Sequence, residues 1–405
     1  MATLNVPGDH PDLASAVAAA AAGDHITLTG EHTTKAVQIR KELTISGGSL
    51  VGDDPIVLGL HDDVTVRDVD IRNDGGHGIV AMAGAPVLRG LTIQVQGTGI
   101  ACGGTAKPSL HAVKVQRATI GVTAQDDAVV FAEDMVLIAS SSGMFFTGRS
   151  SGTISKTAVS GGRGAAIEVA QNATPTFAGV AIVAGGAGGF FIHDDSAPKL
   201  MGCLVQQVTL AGVEVSGRAK PEIDGLLVKD GQGGGLFLHE KSDGTYMEIE
   251  VDGCALSGVE VAEDAKAELE RGVLRNGHAG GLFVHDNAQA EVLEFQLVNN
   301  AFQGLEVADQ AKAQLEDCTV TRSGSHGVLV QGRGVAALAR VTVDASGEWG
   351  LRVQDAAVLA ADTTTVTNNQ LGAALASGGG RLLHTALNAT GLMKSQDNAA
   401  IQEIS

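Results

Sequence analysis

Between Gly143 and Leu371 a small residue, nearly always Gly, returns every 23 residues: Gly143, Ala166, Gly189, Gly212, Gly235, Gly258, Gly281, Gly304, Gly327 and Gly350. A fixed period of this length means stacked structural units, each one rung of an array. With the anchor as position 0, positions 1 and 3 are apolar in almost every copy, as in Val213/Val215, Leu236/Leu238 and Leu282/Val284. That alternation marks a strand with one buried face. Further apolar positions fall at 11 (Ile223, Tyr246, Leu269) and at 14 and 16 (Cys203/Val205, Ile249/Val251, Phe295/Leu297). Each copy therefore predicts three short strands separated by turns of Gly, Asp, Asn, Ser and Ala. No copy holds an apolar 3.6-residue periodicity long enough for three helical turns, and propeller blades need longer strands and periods. The fold class is all-β, a single-stranded parallel β-helix. Each strand pairs with its counterpart one repeat later, about 4.8 Å away, so the stack buries a core that one copy cannot.

The register reaches back through Gly121, Gly99 and Gly78 and forward to Ala373, weakening after Leu387, which gives about fourteen rungs. The uninterrupted period argues for one elongated domain: residues 1–54 as a cap and first rungs, 55–390 as the solenoid, 391–405 as a tail or second cap. Residues 3–6 read as a strand. Asp9 is placed to N-cap a helix with Pro11 in its first turn, running from Leu13 to Ala22 and stopped by Gly23. Such a helix plugs the open end of the stack, where bare strand edges would template aggregation. The apolar run is too short to span a membrane, and no basic segment precedes it as in a signal peptide.

The stretch carrying Ala20, Gly23, Asp24, Ile26 and Leu28, then Ile39, Lys41, Leu43, Thr44, Ile45 and Gly47, resembles the first rungs of right-handed β-helix proteins of the pectin-lyase-like superfamily. Later copies, such as Gly281-Leu-Phe-Val-His-Asp-Asn-Ala288, resemble that superfamily's carbohydrate-binding and sugar-hydrolase-type repeats. They are similar also to the β-helical region of certain F-box-only proteins. The resemblance implies a right-handed solenoid. It does not choose an activity, because the same rung carries lyases, hydrolases, epimerases and scaffolds without catalysis. Fifty-five glycines and eight prolines suit tight turns around an aliphatic core. The four cysteines (Cys102, Cys203, Cys254, Cys318) fall in different rungs without a zinc spacing. They read as buried free thiols, hence a reducing, cytoplasmic setting.

The most informative column is position 2, on the outward side of the first strand. It runs Phe145, Glu168, Phe191, Glu214, Phe237, Glu260, Phe283, Glu306, alternating without exception. At position 4, His193, His239 and His285 occupy the Phe rungs and Ala or Ser the Glu rungs, so the true unit is 46 residues. Alternation keeps like charges a rung apart. It also lays an apolar stripe on one sheet, and such stripes mark partner sites. A protein partner or a second copy is favoured over sugar, since Trp349 and Tyr246 are the chain's single Trp and Tyr.

Three stretches invite a catalytic reading. Asp74-Gly-Gly-His-Gly78 contains the Gly-His-Gly of polygalacturonases, without their Asn-Thr-Asp or Arg-Ile-Lys, and Ser325-His326-Gly327 repeats the same turn. His193-Asp194, His239-Glu240 and His285-Asp286 resemble the His-Asp pair of alginate epimerase-like β-helices, with Phe-Ile before the first where that family has Asp-Pro. A lyase needs a base and a cation to hold the enolate, and the surroundings here are acidic. The second strand carries Glu222, Asp224, Glu248, Glu250, Glu268, Glu270, Glu291, Glu294, Glu316 and Asp317, and the net charge is −19. Phosphate repulsion disfavours nucleic acid on that side. The expectation is a non-enzymatic scaffold for protein recognition or self-assembly. It binds through Phe145, Phe191, Phe237, Phe283, Glu214, Glu260 and Glu306, with no cofactor and no metal. The alternatives are a polysaccharide-active enzyme, for which Ca²⁺ would be the cofactor, and an acidic surface for a basic partner.

Overall fold

The computed structural model describes residues 1–404. The chain forms two compact units, one of residues 1–191 with 195–204, the other of residues 192–194 with Val205 onward. Each is a parallel β-helix. In the first, seven short strands from Val37–Ile39 to Ile167–Val169 form one parallel ladder. In the second, nine run from Val213–Val215 to Met393–Ser395. There are more rungs than the fourteen the period predicts. The outermost rungs keep register while shedding corner residues: Gln38 pairs with Gly59 and Leu375 with Lys394.

The remaining strands of each rung build the second sheet. In four rungs the two expected strands are one: Glu222–Lys229, Asp243–Asp252, Lys266–Arg275 and Gln289–Val298. Each bends at a single left-handed residue at position 13, namely Gly225, Glu248, Arg271 and Glu294. Left-handed residues also turn the corners at position 5 (Glu240, Glu263, Asp286, Asp309) and position 18 (Asp230, Asn276, Asn299). That conformation costs an L-residue roughly 1–2 kcal/mol, so something in the stack compensates it.

The core forms from the predicted columns. Val213, Val215, Ile223, Leu226 and Val228 are all buried, and the same positions are buried in most following rungs, Gly272 at position 14 and the rung after Ala373 being exceptions. The anchor glycines answer to close approach. A Cβ on Gly327 would lie 2.3 Å from Val343 Cγ1 and 2.7 Å from the Gly350 carbonyl oxygen. The helix spans Leu13–Ala19, shorter than expected, with Asp12 as its N-cap accepting from Ser15 N at 2.8 Å. Asp9 instead turns back to Asn5 N at 2.9 Å. Leu13, Ala16 and Val17 bury against the first strands, as a plug requires. Among the described residues no helix is long and apolar enough to cross a membrane. All four cysteines are free and buried, and burial pushes the Cys102 thiol up to about 12.

Tyr246 fills position 11 at full burial, and its hydroxyl has no hydrogen-bond partner among the described residues. A buried hydroxyl without a partner costs about 1 kcal/mol or more. Tyr246→Phe is therefore expected to raise stability by about 1 kcal/mol, read as a higher denaturation midpoint with an unchanged slope.

Candidate functional site

The first sheet of the second unit sets position 2 in strict register: Glu214, Phe237, Glu260, Phe283, Glu306, Leu329, Arg352, Leu375, Lys394. Charged and apolar residues alternate along the whole ladder, and the charge changes sign between Glu306 and Arg352. Strand alternation places positions 2 and 4 of a rung on one side, so Phe237 stacks on His239 and Phe283 on His285. In both pairs the ring centroids are 4.3 Å apart. Each imidazole then reaches back one rung to a carboxylate: His239 Nε2 to Glu214 Oε1 at 3.3 Å, His285 Nε2 to Glu260 Oε1 at 3.1 Å. The repeating module is Glu–Phe–His across two rungs. In the next copy Gln331 replaces His and donates to Glu306 Oε1 at 2.6 Å. Gln354 donates to Gln331 at 2.8 Å and Arg352 to Gln354 at 3.0 Å, so a side-chain chain links the acidic and basic parts of the face.

The four phenylalanines are half-buried rather than open: Phe145 in the first unit, Phe191 at its end, Phe237 and Phe283 in the second. More exposed apolar groups stand at position 21, where Leu210, Leu256 and Phe302 are 56%, 55% and 53% exposed. These three missed residues are again 46 residues apart, alternating with Gly233 and Ala279, so the doubled period was the signal that finds them.

The carboxylates paired with the histidines in sequence are corner residues. Glu240 Oε2 accepts from Gly217 N at 2.7 Å and Asp286 Oδ2 from Glu263 N at 3.1 Å. Asp309 and Asp355 do the same for the amides of Asp286 and Gly332. Each bond satisfies a backbone donor one rung earlier and offsets the cost of the left-handed corner. Asp286 Oδ2 also lies 3.1 Å from His285 Nδ1, and Asp194 Oδ2 is 3.3 Å from His193 Nδ1. The Gly-His-Gly turn is architectural as well. His77 Nδ1 accepts from Thr98 N at 2.8 Å, and His326 Nδ1 stands in the same relation to Trp349 N at 3.4 Å.

The hydrogen bond to Glu214 is the main cause that raises the His239 pKa, against a lowering by burial, with Glu263 and Glu240 adding to it. His285 is raised in the same way, first by Glu260. Burial raises Glu306. Because the folded pKa of His239 exceeds the unfolded value, the stability it contributes is full below about pH 6.5. It is lost as pH rises through the folded value. His239→Ala is expected to remove about 1 kcal/mol at pH 6 and clearly less at pH 8.5, checked by denaturant midpoints at both.

On the other sheet of the second unit lies an open groove of about 780 Å³. Its outward lining includes Glu268, Glu270, Glu291, Glu316 and Asp362 around a floor with Ala337 and Ala360. Regular rungs without long insertions gave no expectation of such a depression.

The chain belongs to the right-handed β-helix region family, whose model matches residues 54–203 and 176–315. No curated protein matches it in sequence. Among solved structures it is similar to a double mutant of the periplasmic alginate epimerase AlgG, at 12% identity and TM-score 0.43, over 68% of this chain and 77% of that one. It is similar also to the tailspike protein of E. coli bacteriophage HK620 in complex with pentasaccharide, at 12% identity and TM-score 0.45, over 90% and 73%. A third is the catalytic unit of the GH87 α-1,3-glucanase from Streptomyces thermodiastaticus, at 12% identity and TM-score 0.38, over 98% and 70%. The likeness reaches the fold and stops there.

Proposed function

We propose that the first sheet of the second unit is a protein-recognition face without catalysis, and that its occupant is a second copy of this chain in the opposite orientation. The observation that carries the reading is the Glu–Phe–His module repeated every 46 residues beside the exposed Leu210, Leu256 and Phe302. Apolar groups ordered at about 9.6 Å intervals form a contact surface that repeats as regularly as an opposing strand ladder. The change of sign supports self-pairing. Glu214, Glu260 and Glu306 precede Arg352 and Lys394, so a two-fold axis across the sheet sets unlike charges together. The four buried thiols support a reducing compartment for such an assembly.

Sedimentation velocity tests this directly. The native chain is expected to form a dimer that weakens with added salt. Phe302→Glu and Phe237→Glu are each expected to lower the association constant at least about tenfold, about 1.4 kcal/mol, with an unchanged melting temperature for Phe302→Glu. A monomer at every concentration, together with turnover of uronic-acid polymers that His239→Ala abolishes, overturns the reading in favour of an enzyme using His193, His239 or His285. A second reading rests on the carboxylate-lined groove, which suits an extended basic partner. Binding of a cationic peptide lost on Glu270→Gln with Glu291→Gln supports it.

A further inference from the structure

The three His copies share one position of the repeat but not the same neighbours. At His285 three potential ligand atoms converge: an imidazole nitrogen and carboxylate oxygens of Asp286 and Asp309 all lie within 4.8 Å of one another. Consecutive residues of a strand point to opposite faces, so His285 and Asp286 would ordinarily part. The left-handed φ of 58° at Asp286 folds its carboxylate back toward the imidazole, to 3.1 Å from Nδ1. Asp309 occupies the equivalent corner one rung later. It accepts from Asp286 N at 3.3 Å, which fixes its carboxylate beside the other two groups.

The other ring nitrogen is also committed. Glu260 Oε1 lies 3.1 Å from His285 Nε2, and Phe283 stacks on the ring at 4.3 Å. A carboxylate on the far nitrogen fixes the tautomer and leaves the near nitrogen to ligate, the usual outer support of a metal-bound histidine.

Among the described residues no other His copy gathers three such atoms, and the matching positions differ. His239 has the longer Glu240 and Glu263 in the matching positions. Glu240 caps Gly217 N as Asp286 caps Glu263 N, but of the two only the shorter Asp286 also sets its Oδ2 3.1 Å from the neighbouring imidazole Nδ1 among the described residues. His193 has Asp194 but meets Gly217 where the third ligand would stand, and Gln331 replaces the histidine of the fourth copy. We propose that His285, Asp286 and Asp309 form a single divalent transition-metal site, with Glu260 as the positioning residue of its histidine. One nitrogen and two carboxylates, with the remaining positions open to solvent, suit Zn²⁺ or Co²⁺ rather than the all-oxygen shells of Ca²⁺ and Mg²⁺. This inference goes beyond the recognition reading and stands whether or not that face meets a partner.

The test is calorimetric titration of the full chain, stripped with chelator, with Zn²⁺ and separately with Ca²⁺, and visible absorbance with Co²⁺. One Zn²⁺ per chain is expected, with Co²⁺ giving the intense bands of a low-symmetry site and Ca²⁺ giving no heat. His285→Ala and Asp309→Asn should each lower affinity at least about tenfold, and Glu260→Gln roughly tenfold. His239→Ala, in the sister copy, should leave affinity and stoichiometry unchanged. Circular dichroism of each variant establishes that it is folded, and Asp309→Asn retains a side-chain oxygen for the Asp286 amide. Several weak sites per chain, equal loss on His239→Ala and His285→Ala, or Ca²⁺ binding as tightly as Zn²⁺ would each overturn the assignment.

Discussion

Gly327→Val is expected to destabilise the second unit by about 3 kcal/mol or more, enough to lower its melting transition by several degrees. The anchor α-hydrogen faces the interior where three groups converge. A Cβ there would sit 2.3 Å from Val343 Cγ1, 2.7 Å from the Gly350 carbonyl oxygen and 2.8 Å from Ser346 Oγ. Two of these belong to the same rung and the third to the next anchor, so no single rotamer change relieves the clash. The next rung would have to lift away, breaking the bond from Gly327 N to Trp349 O at 3.0 Å. A valine variant that melts within a degree of the native chain would show that the rungs do not approach so closely.

Asn73→Ala should cost about 3 kcal/mol, in the first unit. Asn73 is fully buried, and its amide makes three hydrogen bonds, all to backbone. Nδ2 donates to Asp54 O at 2.8 Å and to His77 O at 2.9 Å, while Oδ1 accepts from Gly75 N at 3.0 Å. Alanine leaves one amide and two carbonyls without this partner at a part-buried corner, each costing about 1 kcal/mol, the low end of the range for a lost partner, because water reaches them in part. The same device recurs in the second unit with two bonds: Asn300 Nδ2 to Leu274 O and Oδ1 from Gly277 N, both at 3.0 Å. Asn300→Ala should therefore cost less. Hydrogen exchange at Gly75, faster in Asn73→Ala than in the native chain, would locate the damage; unchanged exchange there would refute the assignment.

The rungs were legible because their constraint is local and repeated. The anchor must be small wherever the next carbonyl passes at van der Waals distance, and inward positions must be apolar, so both rules print a column every 23 residues. The corners were not legible. Glu240 and Asp286 sit beside histidines and so resembled catalytic pairs, yet both turn a left-handed corner and cap an amide one rung away. That compensation is tertiary and leaves no neighbouring signature in the chain. The fused strands were hidden for a similar reason, since one residue's φ separates a bend from a break. Asp9 and Asp12 compete for the helix cap with the same side chain, and Pro11 proved to lie before the cap rather than after it. The stacking of Phe237 on His239 and the reach of His239 to Glu214 follow directly from the register, once position 4 is seen to share a side with position 2.

The alternation of Glu and Phe also limits how a chain of this design can change its length. Excising residues 235–257 would rejoin the backbone in phase and keep every inward column intact. It would also bring Glu214 and Glu260, each now beside Phe237, into direct lateral contact about 4.8 Å apart. Removing twice as many residues restores the neighbour relations of both the interior and the surface. Growth and loss by duplication are thus quantised for the outside at double the step that satisfies the inside, and a one-rung deletion should fold yet lose whatever its decorated side recognises.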